Sequence, residues 1–174
     1  MSNSSNPRHV YVDTQYLHAF IFPNTGRRND EDYIASLQFN EILYSRDPQI
    51  ILKIPFIVMG ETINNIHRRV VSETDRSDII RKLLNVMAEE RVDLAPPTSD
   101  CFKLSINLLE ADRDLDDTDS LIVSQALCDE LSSHLIIKDA AVIDSAAIQK
   151  KNTELHENGF RPRRLKITPE YISI

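Results

Sequence analysis

The chain alternates between short apolar runs and longer segments in which apolar residues recur with helical spacing. This alternation is typical of an α/β protein built on a parallel sheet. The apolar runs predict five strands, over 9–12, 50–58, 91–95, 134–138 and 164–167. Helices are predicted from Thr14 towards Pro23, over 32–44, from Gly60-Glu61 to Val70, through 79–87, after an N-cap at Ser99, with Asp119 in the first turn, and over 142–157 with Gly159 as C-cap. The polar segment 23–32 is predicted to be an exposed loop.

The length and composition indicate one globular domain. The 174 residues are 41% hydrophobic and 27% charged, which is close to the average for globular proteins. We expect a single domain over residues 8–172, preceded by a disordered N-terminus over residues 1–7. The chain has only three glycines, which argues against a glycine-rich phosphate-binding loop.

The net charge and the cysteines limit the possible binding partners and the cellular compartment. Because 27 acidic residues face 20 basic ones, for a net charge of -7, a polyanion would need local basic patches or bound cations. Cys101 and Cys128 belong to no CxxC motif or Cys/His cluster and are expected to be reduced thiols. The polar N-terminus does not resemble a signal peptide, and the most apolar run, 50–59, is too short to span a bilayer. We therefore expect a cytoplasmic protein without membrane contact.

Four acidic residues are predicted to meet at one edge of the sheet. Asp13 follows the first strand, Asp139 follows the fourth, and Glu61 opens the helix after the second strand. Asp119 stands in the first turn of a helix that runs antiparallel to the strands, which places it at the same carboxyl edge. That edge is where open parallel sheets bind their ligands.

Such a cluster must take up protons or bind cations. Carboxylates roughly 5 to 8 Å apart repel by about 2 to 3 kcal/mol per pair at an effective dielectric constant of about 20. Oxygen ligands without His or Cys favour Mg²⁺ or Mn²⁺ over Zn²⁺. These ions can polarise a phosphodiester and generate hydroxide from water.

The same residues also have structural interpretations. Asp13 is placed where turn residues and N-caps are common, and Glu61 suits the dipole of its helix. The functional hypothesis is favoured because each of the four acids adjoins an apolar strand or helix, where an unpaired charge is costly. Four neighbours are interpreted as N-cap candidates or as ordinary surface charges: Asp117, Thr118, Asp112 and Asp114.

At these acids the sequence resembles the PIN domain family of metal-dependent ribonucleases, which includes the VapC-like nucleases. The matching segments occur in the family's order and extend from about residue 8 to residue 172. Two positions depart from the family pattern: Gln15 stands where the family often has Asn, and Ile137 where it favours Thr or Ser. The segments are Val10-Tyr-Val-Asp-Thr14, Ile54-Pro-Phe-Ile-Val-Met-Gly-Glu61, Asp119-Ser-Leu-Ile-Val-Ser-Gln-Ala126, Leu135-Ile-Ile-Lys-Asp139 and Leu165-Lys-Ile-Thr-Pro-Glu170.

The resemblance implies a fold and a site. The fold is a three-layer α/β/α sandwich around a five-stranded parallel sheet of order 3-2-1-4-5. The site is a catalytic cluster that binds Mg²⁺ or Mn²⁺, with Thr14 orienting the first carboxylate by hydrogen bonding. Its expected ligands are Asp13, Glu61, Asp119 and Asp139, with Asp116 as a candidate fifth.

The predicted function is a metal-dependent endoribonuclease that attacks RNA with metal-activated water. Tryptophan is absent and aromatic residues make up 6% of the chain, so no base-stacking platform is expected. Candidate phosphate contacts are Arg68, Arg69 and Lys138, the loop residues Arg27 and Arg28, and the basic C-terminal residues Lys150, Lys151, Arg161, Arg163, Arg164 and Lys166.

Two other functions remain open at this point. One is a non-catalytic PIN-like scaffold that binds RNA or protein, and the other is the toxin of a toxin–antitoxin pair with an antitoxin-like partner. A homodimer is also open. Other hydrolase motifs are absent, since the chain has no GxSxG, Walker A or HExxH sequence. A phosphate-receiver domain is disfavoured because such domains have paired acids after the first strand, where this chain has Asp13 alone. His67 is predicted to lie at the surface.

Overall fold

Five parallel strands form one sheet and confirm the predicted topology. They are β1 (Arg8–Val12), β2 (Ile50–Pro55), β3 (Val92–Ala95), β4 (Ser132–Ile136) and β5 (Lys166–Thr168). The strand order is β3-β2-β1-β4-β5, and every neighbouring pair is parallel. Chain progression reverses direction between β1 and β4, so this pair of strands marks the place where open parallel sheets bind ligands.

The structure, a computed structural model, describes residues 6–22 and 30–171. Arg27, Arg28 and most of the predicted 23–32 loop lie outside these residues, as do residues 1–5 of the predicted disordered N-terminus. Residues 30–32, which were predicted to be loop, belong instead to a helix that begins at Asp30. Acidic residues favour a first turn because they complement the helix dipole.

Helices cover the sheet in two groups. In chain order they are α1 (Thr14–Ile21), α2 (Asp30–Leu43), α3 (Phe56–Arg69), α4 (Glu73–Met87), α5 (Ser99–Ala111), α6 (Asp117–Cys128), α7 (Ala140–Asp144) and α8 (Ala146–Glu157). Helix α1 packs against α2, α3 and α4, whereas α6 packs against α5, α7 and α8. The result is the predicted three-layer α/β/α sandwich.

The core lies along the central strands. Val12 and Ile136 are fully buried, and all five residues of β4 are buried. Burial of both faces is typical of parallel strands that are covered by helices on either side. The ends of β1 and β4 therefore emerge from an apolar interior at the carboxyl edge.

The boundary between β2 and α3 differs from the prediction. The strand ends at Pro55 and the helix begins at Phe56, so the strand predicted through residue 58 was too long. Proline has no N–H to continue the ladder, and Val58 is buried as part of the helix. Glu61 consequently lies in the second turn of α3 and does not open it.

Three other boundaries differ from the prediction. β4 begins two residues earlier than predicted because Ser133 is buried within the sheet, where its hydroxyl donates to the carbonyl of His9 at 3.2 Å. β5 covers 166–168, later than the predicted 164–167. The N-cap of α5 is Thr98, whose hydroxyl accepts from the Cys101 amide, and not Ser99.

The helix predicted over 142–157 is two helices that meet at Ser145. The Ser145 hydroxyl accepts from the amide of Ile148, which caps α8. It also donates to Oδ2 of Asp112 at 2.6 Å. Asp112 is therefore a capping partner and not an ordinary surface charge.

The cysteine and membrane predictions were tested in the described residues. Cys101 and Cys128 are free thiols. Among residues 6–22 and 30–171, no helix is long and apolar enough to cross a membrane.

Candidate functional site

An open pocket of about 640 Å³ lies at the carboxyl ends of β1 and β4. The structure brings all four predicted acids into this acidic pocket, together with Asp116. Six carboxylates and one amine line it. The lining residues are Asp13, Gln15, Glu31, Glu61, Asp116, Thr118, Asp119, Lys138, Asp139 and Pro169.

Asp13 joins β1 to α1. Its amide donates to the carbonyl of Ile136 at 3.0 Å, so the β1–β4 pairing fixes its backbone. Its Oδ1 accepts from the amide of Thr14 at 2.5 Å, as the N-cap of α1. Burial raises the pKa of the Asp13 carboxyl to about 6, and the charge of Glu61 adds to the shift.

Two threonine hydroxyls hold Glu61. The Thr14 hydroxyl donates to Oε2 at 2.5 Å, and the Thr118 hydroxyl donates to Oε1 at 3.3 Å. Thr14 does hydrogen-bond to the first carboxylate, but the donor is its backbone amide and not its hydroxyl. Its backbone amide serves Asp13, while its hydroxyl serves Glu61, because the side chain points from α1 towards α3.

The first turn of α6 carries Asp119. The N-cap of this helix is Asp116, whose Oδ1 accepts from the Asp119 amide at 2.7 Å, and not the predicted Asp117 or Thr118. Burial raises the pKa of the Asp119 carboxyl to about 7, and the surrounding carboxylates, Asp116 foremost, raise it further. Ionising Asp119 in the metal-free protein is thus costly.

Asp139 stands three residues past the end of β4. Its Oδ1 accepts from the amide of Ala141 at 2.7 Å, which makes it the N-cap of α7. Asp13, Asp116 and Asp139 each cap a helix. Because an N-cap bond holds a carboxylate against the backbone, three of the pocket's acids are set by local structure.

Little positive charge balances these acids. Lys138 is the one basic side chain that lines the acidic pocket within the described ranges. Its amine is drawn towards α2, 3.3 Å from the carbonyl of Glu31 and 3.9 Å from Oε2 of the same residue. Among the residues that the structure describes, the central acids Asp13 and Asp119 form no ion pair with a basic side chain.

The donor set suits a hard cation, although it forms no closed cage. In the described parts of the chain, no three His, Cys, Asp or Glu side chains are arranged to hold one ion together. Apart from Lys138 and Gln15, the polar side chains that line the pocket carry carboxylate or hydroxyl oxygens, which can serve as metal ligands. Mg²⁺ typically keeps several waters and binds through one or two carboxylates, which is compatible with an open acidic pocket.

A larger cleft of about 940 Å³ adjoins the acidic pocket. It shares Asp13, Gln15 and Glu61 with that pocket and reaches Arg69 at the end of α3. His18 also lines it, and burial lowers the pKa of this histidine to about 4. The cleft thus extends from Asp13 and Glu61 along α1 and α3 to Arg69.

Only some of the predicted phosphate contacts lie near the acidic pocket. Lys138 lines the acidic pocket and Arg69 lines the adjoining cleft, whereas Arg68 is exposed and lines neither. Arg161 is 1% exposed and cannot reach a substrate. His67 is exposed, as predicted.

Sequence reasoning missed two residues of the site. Thr118 was considered only as an N-cap, although a hydroxyl beside a candidate ligand is a usable signal for carboxylate orientation. Glu31 offers no such signal, because it reaches the pocket from α2, 107 residues before Lys138.

The fold is shared with solved structures. VapBC2 from Rickettsia felis, solved bound to a DNA fragment from its promoter, matches at 17% identity and a TM-score of 0.54, covering 80% of this chain and 94% of that one. FitAcB from Neisseria gonorrhoeae matches at 13% and 0.56, covering 80% and 93%. FitAB bound to an IR36 DNA fragment matches at 10% and 0.59, covering 95% and 98%. No protein-family model and no curated protein sequence matches the chain. The five-stranded sheet and its flanking helices match the PIN-like α/β/α fold of these structures.

Proposed function

We propose that the protein is a metal-dependent endoribonuclease that hydrolyses RNA phosphodiester bonds at the acidic pocket. The observation that carries this proposal is the convergence of Asp13, Glu61, Asp119 and Asp139 on one pocket at the point where the strand order reverses. Perturbed pKa values in a cleft favour a functional site over a structural one. The PIN-like fold supports the same interpretation.

Mg²⁺ or Mn²⁺ would be held by one or two carboxylates together with waters. The candidates are Asp13, Glu61, Asp119 and Asp139, with Asp116 as a further one. When bound, such an ion supplies Lewis acidity at the phosphodiester and lowers the pKa of water. The raised pKa values of Asp13 and Asp119 fit this role, because a bound cation would offset both the burial and the neighbouring negative charges that disfavour their ionised forms.

The chain's own groups orient the reaction. Thr14 and Thr118 fix both oxygens of Glu61 from opposite sides. Asp116 caps α6 and so positions the backbone of Asp119. Lys138 at the rim of the acidic pocket can donate to a phosphate oxygen of the substrate, since its bond to the Glu31 carbonyl is long and partly exposed.

The test is cleavage of single-stranded RNA by wild-type protein and two variants, with Mn²⁺, with Mg²⁺ and with chelator. Asp13→Asn and Asp119→Asn are each expected to lower the rate at least about a hundredfold, since each removes a charge from the site. Asp114→Asn is the matched control, because Asp114 is an exposed acid of the same region that does not line the acidic pocket. Unchanged Tm values would show that folding is preserved.

Wild-type activity in both Asp13→Asn and Asp119→Asn would overturn the nuclease proposal. The non-catalytic scaffold is distinguished by calorimetric titration with Mn²⁺. A nuclease of this kind takes up the ion, and either substitution weakens the uptake, whereas a scaffold shows no acid-dependent binding.

The toxin alternative is favoured by one observation, which is that the structural neighbours belong to toxin–antitoxin complexes. A toxin of this kind would cleave RNA by the same chemistry and would be inhibited by an antitoxin protein. A small reading frame adjacent to this one, whose product relieves growth arrest on co-expression, would support it. Growth that is unaffected by expression of the active protein would count against it.

A further inference from the structure

The segment that follows α8 and includes β5 is the most cationic part of an acidic chain. From Asn158 to Pro169 it contains four basic residues and no acidic one, whereas the whole chain carries a net charge of -7. None of these four basic residues lines the acidic pocket. Their arrangement separates one of them from the other three.

Arg161 is buried and anchors the segment. Its guanidinium donates to the carbonyls of Ala126, Leu127 and Ser132, at the end of α6 and the start of β4. Gly159, with φ at +74°, turns the chain out of α8 in a conformation that favours glycine. The segment is therefore attached to the core by a buried side chain.

Asn152 provides a second anchor. Its side-chain amide donates to the carbonyl of Leu165 at 2.8 Å and accepts from the amide of Leu165 at 2.9 Å. Both groups are buried. Arg161 and Asn152 together hold the backbone on either side of residues 162–164, so the side chains there project from a fixed support.

Three cations on this support face solvent: Arg163, Arg164 and Lys166. We call them the basic strip. None of the three forms an ion pair with another residue in the described ranges. Phe160 beside them is 43% exposed. Free cations next to an exposed ring are the combination that binds a nucleic acid backbone with an occasional stacked base.

The basic strip leads to the acidic pocket. Lys166 begins the edge strand β5, and Pro169, one residue past its end, lines the acidic pocket. At a rise of about 3.3 Å per residue, these three steps span about 10 Å. A single strand lying along β5 would meet the strip and the acids in succession.

We propose that the basic strip binds the phosphodiester backbone of single-stranded RNA and guides it along β5 into the acidic pocket. The identity of the strand as a substrate rests on the proposed function, whereas binding to the strip does not require cleavage. Contacts to phosphate carry no base information. The strip therefore contributes affinity without sequence preference.

The experiment measures binding of fluorescent oligouridine by anisotropy, in an Asp119→Asn background so that no cleavage occurs. The strip variant carries Arg163→Gln, Arg164→Gln and Lys166→Gln. The control variant carries three neutralised exposed cations of α4 and α5: Arg81→Gln, Lys82→Gln and Lys103→Gln. Both triple variants lose the same charge, and thermal denaturation verifies that both fold.

The strip variant is expected to bind RNA about tenfold or more weakly than its parent and to reduce the slope of log K against log salt by about 2, since each lost phosphate contact on a single strand removes about 0.7. The control variant is expected to change affinity less than about twofold. Equal losses in the two variants, or no loss in the strip variant, would overturn the proposal.

A DNA oligothymidine of the same length separates the two sources of a phosphodiester backbone. A strip effect with RNA, whether or not DNA shows it too, supports the proposal, and an effect confined to DNA refutes it. The experiments can refute the basic-strip proposal and the nuclease proposal independently. A strip that binds RNA in a protein without cleavage activity would refute only the nuclease, and active cleavage with an unaltered strip variant would refute only the strip.

Discussion

Thr14 links the first two acids of the pocket through different atoms. Its amide binds Asp13, and its hydroxyl binds Glu61. These bonds connect the end of β1 to α3, which lie 47 residues apart along the chain at this contact. A single residue thus couples the positions of two carboxylates, and its hydroxyl can be removed without disturbing the amide.

We expect Thr14→Val to weaken Mn²⁺ binding and to slow RNA cleavage by about tenfold to a hundredfold. Valine keeps the shape and the amide bond to Asp13 but leaves Glu61 without its shorter hydroxyl donor, and loss of such outer contacts typically has effects of this size. Thr14→Ser is expected to retain most of the activity. Calorimetry with Mn²⁺ and cleavage rates provide the measurements.

Thr153→Val is the matched control, because its hydroxyl donates to the carbonyl of Gln149 on an exposed helix face. Its Mn²⁺ affinity should equal that of the wild type. Equal Mn²⁺ affinities in Thr14→Val and the wild type would show that Glu61 does not depend on the Thr14 hydroxyl for its role.

The acids themselves were accessible from the sequence, whereas their hydroxyl partners were not. Asp13 and Asp139 follow strands whose apolar character is local and easily recognised. The bond from Thr118 to Glu61 spans 57 residues, and no local pattern encodes such a contact. Residue types could be predicted, but the pairing of donor and acceptor required the packing of α1, α3 and α6.

At the scale of elements, the connection between α8 and β5 depends on one buried cation. Arg161 satisfies carbonyls that the end of α6 leaves without helical partners. It has no carboxylate within ion-pair distance among the described residues, so its contribution comes from hydrogen bonding to carbonyls. A sequence reading assigns it to the basic surface, because the partners that bury it lie 29 to 35 residues earlier.

Arg161→Met is expected to lower the free energy of unfolding by about 2 to 4 kcal/mol. Methionine fills part of the space but leaves buried carbonyls without donors, each at a cost of about 1 to 3 kcal/mol. Arg163→Met is the control at an exposed neighbour and should lie within about 0.5 kcal/mol of the wild type. Urea denaturation of both variants measures the difference, and equal midpoints would contradict the assigned role.

The ends of two strands differ in whether the sequence carries a local signal for them. Pro55 ends β2 for a covalent reason, and this could have been recognised from its missing N–H. Ser132 enters β4 despite its polarity because it pairs with His9 of β1, and Ser133 follows it with its hydroxyl donating to the His9 carbonyl. The sequence thus carried a local signal for the end of β2, which the strand predicted through residue 58 overlooked, and no local signal for the start of β4.

Across the whole molecule, the charges are segregated. Six carboxylates line the pocket at the carboxyl edge of β1 and β4, while the three cations of the basic strip follow one another in the segment after α8. His134 in β4 lies close to the latter group. Burial lowers the pKa of His134 to about 4, and Lys166 from β5, Arg8 from β1 and Arg163 from the connecting segment lower it further.

This histidine links global stability to pH. Between its ordinary pKa of 6.5 and the folded value of about 4, the unfolded chain binds a proton that the folded protein does not. The free energy of unfolding therefore falls as the pH drops through this window. We expect His134→Phe to reduce the stability lost between about pH 7 and pH 4.5 by about 2 kcal/mol.

Chemical denaturation at several pH values measures this dependence. His67→Phe is the control, because His67 is exposed, and it should leave the dependence unchanged. Parallel pH profiles in the wild type and His134→Phe would show that another group accounts for the acid sensitivity.

The alternation of strands and helices, the parallel sheet and the acids at the strand ends are readable from the sequence alone. These follow from periodicity and from residues adjacent along the chain, and both are local properties. The tertiary structure decided that Thr14 and Thr118 share Glu61, that Arg161 is buried while Arg163 is free, and that Lys138 turns to Glu31. Each of these depends on groups tens of residues apart, because hydrogen bonds and burial are set by which surfaces meet on folding.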